Sequence, residues 1–261
     1  MSFKSFGITC FSYAYIAFVG IHSAIMFIIA CFIRLLTHFF DKRLILLNLF
    51  TSFWASTYIW CMPIWSVKIT GRRKMDMKKN YVIVANHQSQ LDVLVVYRLF
   101  FPFRWISKAE VFNLPFIGWN MTLNGHVKLK RGDKESIAQM MDQCKKFLKN
   151  NISIMMFPEG TRSKTGIVKP FKNGAFMLAK KMKKPILPLV INNTKDALPK
   201  YSLTLRGRHK MDIRVLDEIP FSVFEYMEVD DTAKMVQKMI SSHVKEHIAL
   251  EQGKYIGRLA N

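Results

Sequence analysis

Two stretches without a charged side chain set the first constraint on how this chain can fold. One runs from Phe11 to Ile33 between Lys4 and Arg34, the other from Leu44 to Val67 between Arg43 and Lys68. As helices, both are long enough for the hydrocarbon core of a bilayer, about 30 Å thick. A cleaved secretory signal does not suit the first run. Its apolar part is too long, no small-residue cleavage site follows, and a second apolar run comes straight after. The expectation is a membrane-associated helical hairpin over residues 1–70. The link between the runs carries Arg34, Lys42 and Arg43 against Asp41, and Lys68, Arg72, Arg73 and Lys74 follow the second run. The positive-inside rule draws both basic flanks to the cytoplasm, which a spanning pair cannot satisfy. Asn48, Ser52, Ser56, Thr57 and Pro63 also interrupt the second run, as in a helix near the interface. The reading is a hairpin dipping into the cytoplasmic leaflet, with a two-span anchor as the alternative and the rest of the chain on the cytoplasmic face.

Charge narrows the partners. The formal net charge is +21, from 39 Lys and Arg against 18 Asp and Glu, and 35 and 17 of these lie from Lys68 onward. Such an excess attracts polyanions: nucleic acid, anionic headgroups or phosphorylated substrates. No zinc-finger spacing, helix-turn-helix signature or aromatic ribonucleoprotein motif is present, so a phospholipid partner and no nucleic acid is expected. Cys10, Cys31, Cys61 and Cys144 are scattered without a C-x-x-C pair, so neither a metal site nor a disulfide framework follows.

Past a short basic connector, Gly71–Lys79, β and α patterns alternate. Strands are expected at Tyr81–Ala85, Phe103–Ser107, His126–Leu129, Ile152–Phe157, Ile186–Ile191 and Met211–Leu216. Helices are expected at Leu91–Phe100, Lys134–Asn150, Gly174–Lys183 and from about Thr232 to Leu250. The pattern reads as an α/β domain over 71–261, with a largely parallel central sheet flanked by helices.

Two strand ends carry chemistry. Tyr81–Ala85 runs into Asn86-His87-Gln88-Ser89-Gln90-Leu91-Asp92. The carboxyl end of a buried strand is where open α/β sheets bind ligands. A carboxylate on one imidazole nitrogen fixes the tautomer and leaves the other nitrogen as a base. The plainer readings are a satisfied loop histidine and a helix capping box at Ser89-x-x-Asp92. Ser89 lacks the G-x-S-x-G elbow of a serine nucleophile. Ile152–Phe157 leads into Phe157-Pro158-Glu159-Gly160-Thr161-Arg162-Ser163, where a glycine turn presents an Arg shaped for forked phosphate binding. The plainer reading there is a surface turn with a solvated Arg, and the Gly160–Gly166 spacing is not a P-loop. His243-Val244-Lys245-Glu246-His247 fits H-x-x-E-H, but only Glu251 follows as a candidate third zinc ligand, and a solvated helix face is the reading preferred.

Together the two segments resemble the glycerolipid acyltransferases, and in their particular form the 1-acyl-glycerol-3-phosphate acyltransferases. NHQSQLD is similar to that family's N-H-x4-D block and FPEGTRS to its E-G-T-R block. Gly125–Arg131 resembles its G-x-x-x-x-x-R block, and Ile186–Leu189 its V-P-I/V block. Lys108-Ala109-Glu110 with Pro115 and Gly118, and Phe171-Lys172-Asn173-Gly174, also fit. Lys128 and Lys130 depart from the family, which has an apolar residue and usually an acid at those positions. The resemblance covers roughly Lys68–Ile191.

It implies direct acyl transfer from an acyl thioester, acyl-CoA or acyl carrier protein, to the sn-2 hydroxyl of lysophosphatidic acid, forming phosphatidic acid. It implies neither a cofactor nor a metal. His87 would be the general base and Asp92 its orienting carboxylate. Glu159, Gly160, Thr161 and Arg162 would hold the glycerol phosphate, Arg131 would add to phosphate binding, and Lys108 would join the substrate site. Pro188 would shape the acyl side. Another lysophospholipid as acceptor, a hydrolase using the same His and Asp, and a non-catalytic membrane adaptor are the alternatives.

Overall fold

The computed structural model describes residues 3–198, 207–245 and 249. The first apolar run is one helix, α1 (Phe3–Thr37), and its Cys10–Thr37 portion is long and apolar enough to cross a membrane. Ile21, Ile25, Ile28, Phe32, Leu35 and Leu36 stand exposed along it.

The second run corrects the expected two-helix membrane segment. Its helix α2 (Ile45–Trp60) has 16 residues, about 24 Å at helical rise; it packs onto the α/β body through the buried Ala55 and Ile59 and onto α1 through Leu47, Trp54 and Tyr58. The polar residues that interrupt the run are the reason. Asn48 Nδ2 donates to the Phe103 carbonyl at 2.9 Å, and Thr51 Oγ1 accepts from Asn124 at 3.0 Å and Asn120 at 3.3 Å. Such groups need protein partners and would find none in lipid tails. Beyond Pro63 the run becomes strand β1 (Trp65–Thr70), alternately buried and exposed. The sheet therefore takes in residues before position 71, where the sequence placed the start of the α/β domain. Arg72, in the supposed linker, donates to the carbonyls of Leu99 and Phe100.

The remaining strands are β2 (Val82–Ala85), β3 (Phe103–Lys108), β4 (Val127–Leu129), β5 (Ser153–Met156), β6 (Ile186–Asn192) and β7 (His209–Val215). They form one sheet in the order β1-β7-β6-β2-β5-β3-β4. The five strands from β6 to β4 are parallel. β7 runs antiparallel to β6 and carries β1 parallel to itself at the edge. The expected largely parallel sheet is thus what the chain forms. Period-two alternation divides the core: Tyr81, Ile83 and Ala85 face one cluster, Val82 and Val84 the other. The first cluster takes in residues of α2 and of α3 (Leu91–Tyr97). The second is covered by α5 (Lys134–Lys149), α6 (Gly174–Met182) and α9 (Val229–Ser241). Helix α4 (Ile117–Leu123) meets α1, where Trp119 lies 5.7 Å from Phe27 between ring centroids. Two short helices, α7 (Thr194–Ala197) and α8 (Phe221–Phe224), complete the described α-helices. Glu246, His247, Ile248 and Leu250 of the expected last helix lie outside the described residues.

Candidate active site

Parallel strands deliver their carboxyl ends to one edge, and β2 and β5 are neighbours, about 4.8 Å apart. His87 and Glu159, 72 residues apart in sequence, are thereby brought into contact. Before the loop turns, Asn86 ties it to β6. Its Nδ2 donates to the Ile191 carbonyl and its Oδ1 accepts the Ile191 N–H, both at 2.8 Å.

His87 Nδ1 lies 2.7 Å from Asp92 Oδ2. Asp92 is fully buried in the first turn of α3. The same oxygen accepts the N–H groups of Gln88 at 2.6 Å and Ser89 at 2.9 Å. Its other oxygen accepts the Thr194 hydroxyl. An ionised carboxylate only accepts, so Nδ1 carries the proton and Nε2 is left with its lone pair. Phe157 stacks on the imidazole at 3.9 Å and 6°, and Trp105 stacks on Phe157 at 5.4 Å. The ring is therefore held by its face and by one nitrogen. Part of the capping-box reading is also real, since Asp92 closes back onto Ser89. The two readings coexist because a single carboxylate caps the turn and orients the histidine.

Glu159 is 5% exposed, and it points inward. Oε1 accepts the His87 N–H at 2.8 Å and Oε2 the Lys169 N–H at 3.2 Å. Burial pushes its carboxyl up to about 7 against the opposing pull of those two donors. The side chain expected at the acceptor instead fastens the histidine's own main chain. Ser163 adds a second fastening, donating its N–H to the His87 carbonyl at 2.8 Å. Gly160 has φ +71°, and a Cβ there would meet Lys172 Cε at 3.1 Å and Nζ at 3.2 Å. The turn thus needs glycine for its backbone and carries an ammonium over it. Lys169 Nζ donates to Thr161 Oγ1 at 3.1 Å and to the Arg162 carbonyl at 3.0 Å. Thr161 is exposed and Arg162 half-buried. A protonatable nitrogen with its proton already placed on the far side thus sits beside a turn rich in cations.

Residues 66–192 match the family of acyltransferase domains. The chain is 30% identical over 197 residues to the 1-acyl-sn-glycerol-3-phosphate acyltransferase of Limnanthes douglasii, which covers 74% of this chain and 68% of that protein. The chain belongs to the 1-acyl-sn-glycerol-3-phosphate acyltransferase family. It is 36% identical over 168 residues to a chloroplastic member from Brassica napus, and spans about half of that protein's length (48%). Among solved structures, the 1-acyl-sn-glycerophosphate acyltransferase of Thermotoga maritima superposes with a TM-score of 0.64 at 21% identity, covering 90% of this chain and 98% of that one. That likeness shows a shared fold.

The other residues that the family resemblance singled out are placed unequally. Lys108 ends β3 and pairs with the exposed Glu110 at 2.8 Å. Arg131 follows β4 and is exposed, near enough to help hold the Glu110 carboxyl below its usual range, behind the larger effect of Lys108. Both stand on the same sheet edge as His87, two and three strands away, or roughly 10 and 14 Å. Pro188 is not at that edge. It is buried within β6 opposite Val84, and its carbonyl accepts the Leu216 N–H at 3.0 Å. The β6–β7 register slips by one residue here, between Leu189↔Val215 and Ile186↔Ile219. A residue without an N–H suits such an interruption of the ladder. Asn86, Lys169, Lys172 and Thr194 were not expected at the site. Asn86 and Lys172 stood inside recognised blocks. Lys169 and Thr194 carry no spacing signal, because only the tertiary fold brings their loops over the β2–β5 edge.

Proposed function

We propose that this family member transfers a fatty acyl group from an acyl thioester to the sn-2 hydroxyl of 1-acyl-glycerol 3-phosphate, giving phosphatidic acid. The observation that carries the reading is the imidazole of His87, held through Nδ1 by a buried carboxylate, beside a turn of cationic groups. In this reading Nε2 takes the hydroxyl proton as the oxygen attacks the thioester carbonyl carbon. The C–S bond then breaks, and the imidazolium returns its proton to the departing thiolate. Asp92 holds the tautomer and stabilises the imidazolium. Arg162, with Lys169 and Lys172 beside it, takes the acceptor phosphate. The rim at Lys108 and Arg131 suits the phosphates of coenzyme A or the acidic surface of an acyl carrier protein. No covalent acyl-enzyme is required.

The exposed apolar face of α1 is read as the attachment to membrane lipid, with the α/β body on the cytoplasmic face. The test is acyl transfer by purified protein, offered acyl-CoA or acyl carrier protein as donor and a panel of lysophospholipids as acceptors. Lysophosphatidic acid should be the preferred acceptor, and His87→Ala should lower turnover by about 10²–10⁴-fold, the usual worth of a positioned base. Full activity in that variant would sink the mechanism. Preference for another lysolipid would reassign the acceptor, and free fatty acid formed without acceptor would indicate hydrolysis.

A further inference from the structure

Asp92 has no contact with solvent, so its four acceptances define its orientation. Three are on Oδ2: His87 Nδ1 and the N–H groups of Gln88 and Ser89. Among the described residues, Oδ1 has one donor, the hydroxyl of Thr194. With Oδ1 unpaired, the carboxylate could rotate about its terminal torsion, which is soft and roughly two-fold. Partial rotation would swing Oδ2 out of line with Nδ1 and loosen the contact with the imidazole. Thr194 is itself fully buried, and its position is fixed from both sides. Asn193 takes the left-handed conformation (φ +66°) just past β6. Three residues before Thr194, Ile191 is clamped by Asn86, the neighbour of His87. Four residues after it, the Leu198 carbonyl accepts the Ser89 hydroxyl at 2.9 Å, and the Leu198 N–H donates to the Thr194 carbonyl at 3.2 Å. The loop after β6 is therefore built onto the loop after β2, with one hydroxyl directed at the carboxylate between them.

We propose that Thr194 is a positioning residue of the acyl-transfer reaction, fixing the rotation of Asp92 and through it the tautomer and aim of His87. The inference rests on the dyad reading above and adds a member contributed by a third segment of chain. Thr194→Val keeps the branched shape and removes the donor. Its kcat should fall by about 10–100-fold, the range found for outer partners of oriented metal-bound imidazoles. KM for both lysophosphatidic acid and the acyl thioester should stay unchanged. Thr194→Ser restores the donor and should restore kcat. If Thr194→Val does not fold, Thr194→Ala is read in the same way. Wild-type kcat in the variant lacking the hydroxyl overturns the proposal. So does a kcat loss accompanied by rises in both KM values, or a loss that Ser does not repair. His87→Ala measured alongside separates the two failures. An active His87→Ala defeats the dyad reading itself, whereas an inactive one beside a fully active Thr194→Val defeats only the role of Thr194.

Discussion

Within one turn of chain, Glu159 and Arg162 face opposite duties. Both carboxylate oxygens of Glu159 are occupied by main-chain N–H groups, so its charge is spent inward, where an acceptor phosphate would in any case repel it. Arg162 is only half-buried, and among the described residues its guanidinium makes no ion pair. The forked guanidinium can bind two phosphate oxygens at once, and lysine cannot reproduce that geometry. Arg162→Lys is therefore expected to raise KM for lysophosphatidic acid several-fold or more, with KM for the thioester little changed. Steady-state kinetics with each substrate varied in turn checks this. A change confined to the thioester KM would mean that the two substrate sites are assigned the wrong way round. His126 is the instructive contrast. It is buried, accepts the Trp105 main-chain N–H at Nδ1 and meets Tyr97 Oη through Nε2 at 3.0 Å. Burial holds it well below the usual imidazole range. Both of its nitrogens are consumed by the fold, whereas His87 has one to spare.

At the scale of elements, α2 decides how much of the N-terminal region belongs to the body. The side-chain amide of Asn48 meets both main-chain groups of Phe103, receiving its N–H at 3.4 Å and donating to its carbonyl at 2.9 Å. It continues the hydrogen bonding of the sheet into a helix. Asn48→Leu would leave those groups buried and unpaired, at about 1–3 kcal/mol for each unsatisfied group. The expected result is a melting temperature lower by roughly 5 °C or more for a chain of this size, measured by thermal unfolding in mild detergent. If α2 instead faced lipid, the same substitution would raise stability. β1 shows the same principle in another form. Its first three residues still belong to the apolar run and Lys68 ends that run, yet all six form an edge strand because β7 offers a ladder in register from Trp65↔His209 to Thr70↔Arg214.

For the molecule as a whole, the question is how the body meets the bilayer. α1 touches the body at several levels of its length. Tyr15 donates to the Tyr58 carbonyl at 2.5 Å, Ser23 lies 2.7 Å from Tyr58 Oη, and Phe27 meets Phe116 and Trp119. A helix laid flat against α2 and α4 cannot stand across a membrane without carrying them along. Its exposed outer side continues through Phe39 and Phe40 to Leu46 and Phe53 on α2. The expected attachment is therefore to one leaflet, with the link between α1 and α2 on the body's own side. A cysteine introduced at the exposed position 38, in a chain lacking its own four cysteines, should resist a membrane-impermeant reagent in intact cells and react after permeabilisation. Labelling from outside would show that the link crosses the membrane.

The local pattern determined a good deal. Strand positions from Tyr81 to Ile191, the α-helices there other than α4, the largely parallel sheet and the pairing of His87 with Asp92 were legible, because period, loop chemistry and a five-residue spacing are local properties. Both apolar runs were assigned to the membrane, the second despite its polar interruptions, since freedom from charge reports removal from water and does not distinguish protein from lipid as the medium. Only packing separated α1, with its open outer face, from α2, whose polar groups find partners on β3 and α4. The inward turn of Glu159, the burial of Pro188 within β6, and the arrival of Lys169, Lys172 and Thr194 at the site likewise came from the tertiary structure. Each depends on which strand ends become neighbours, and contacts of that kind, which at this site join residues as far as 109 positions apart, leave no periodic trace along the chain.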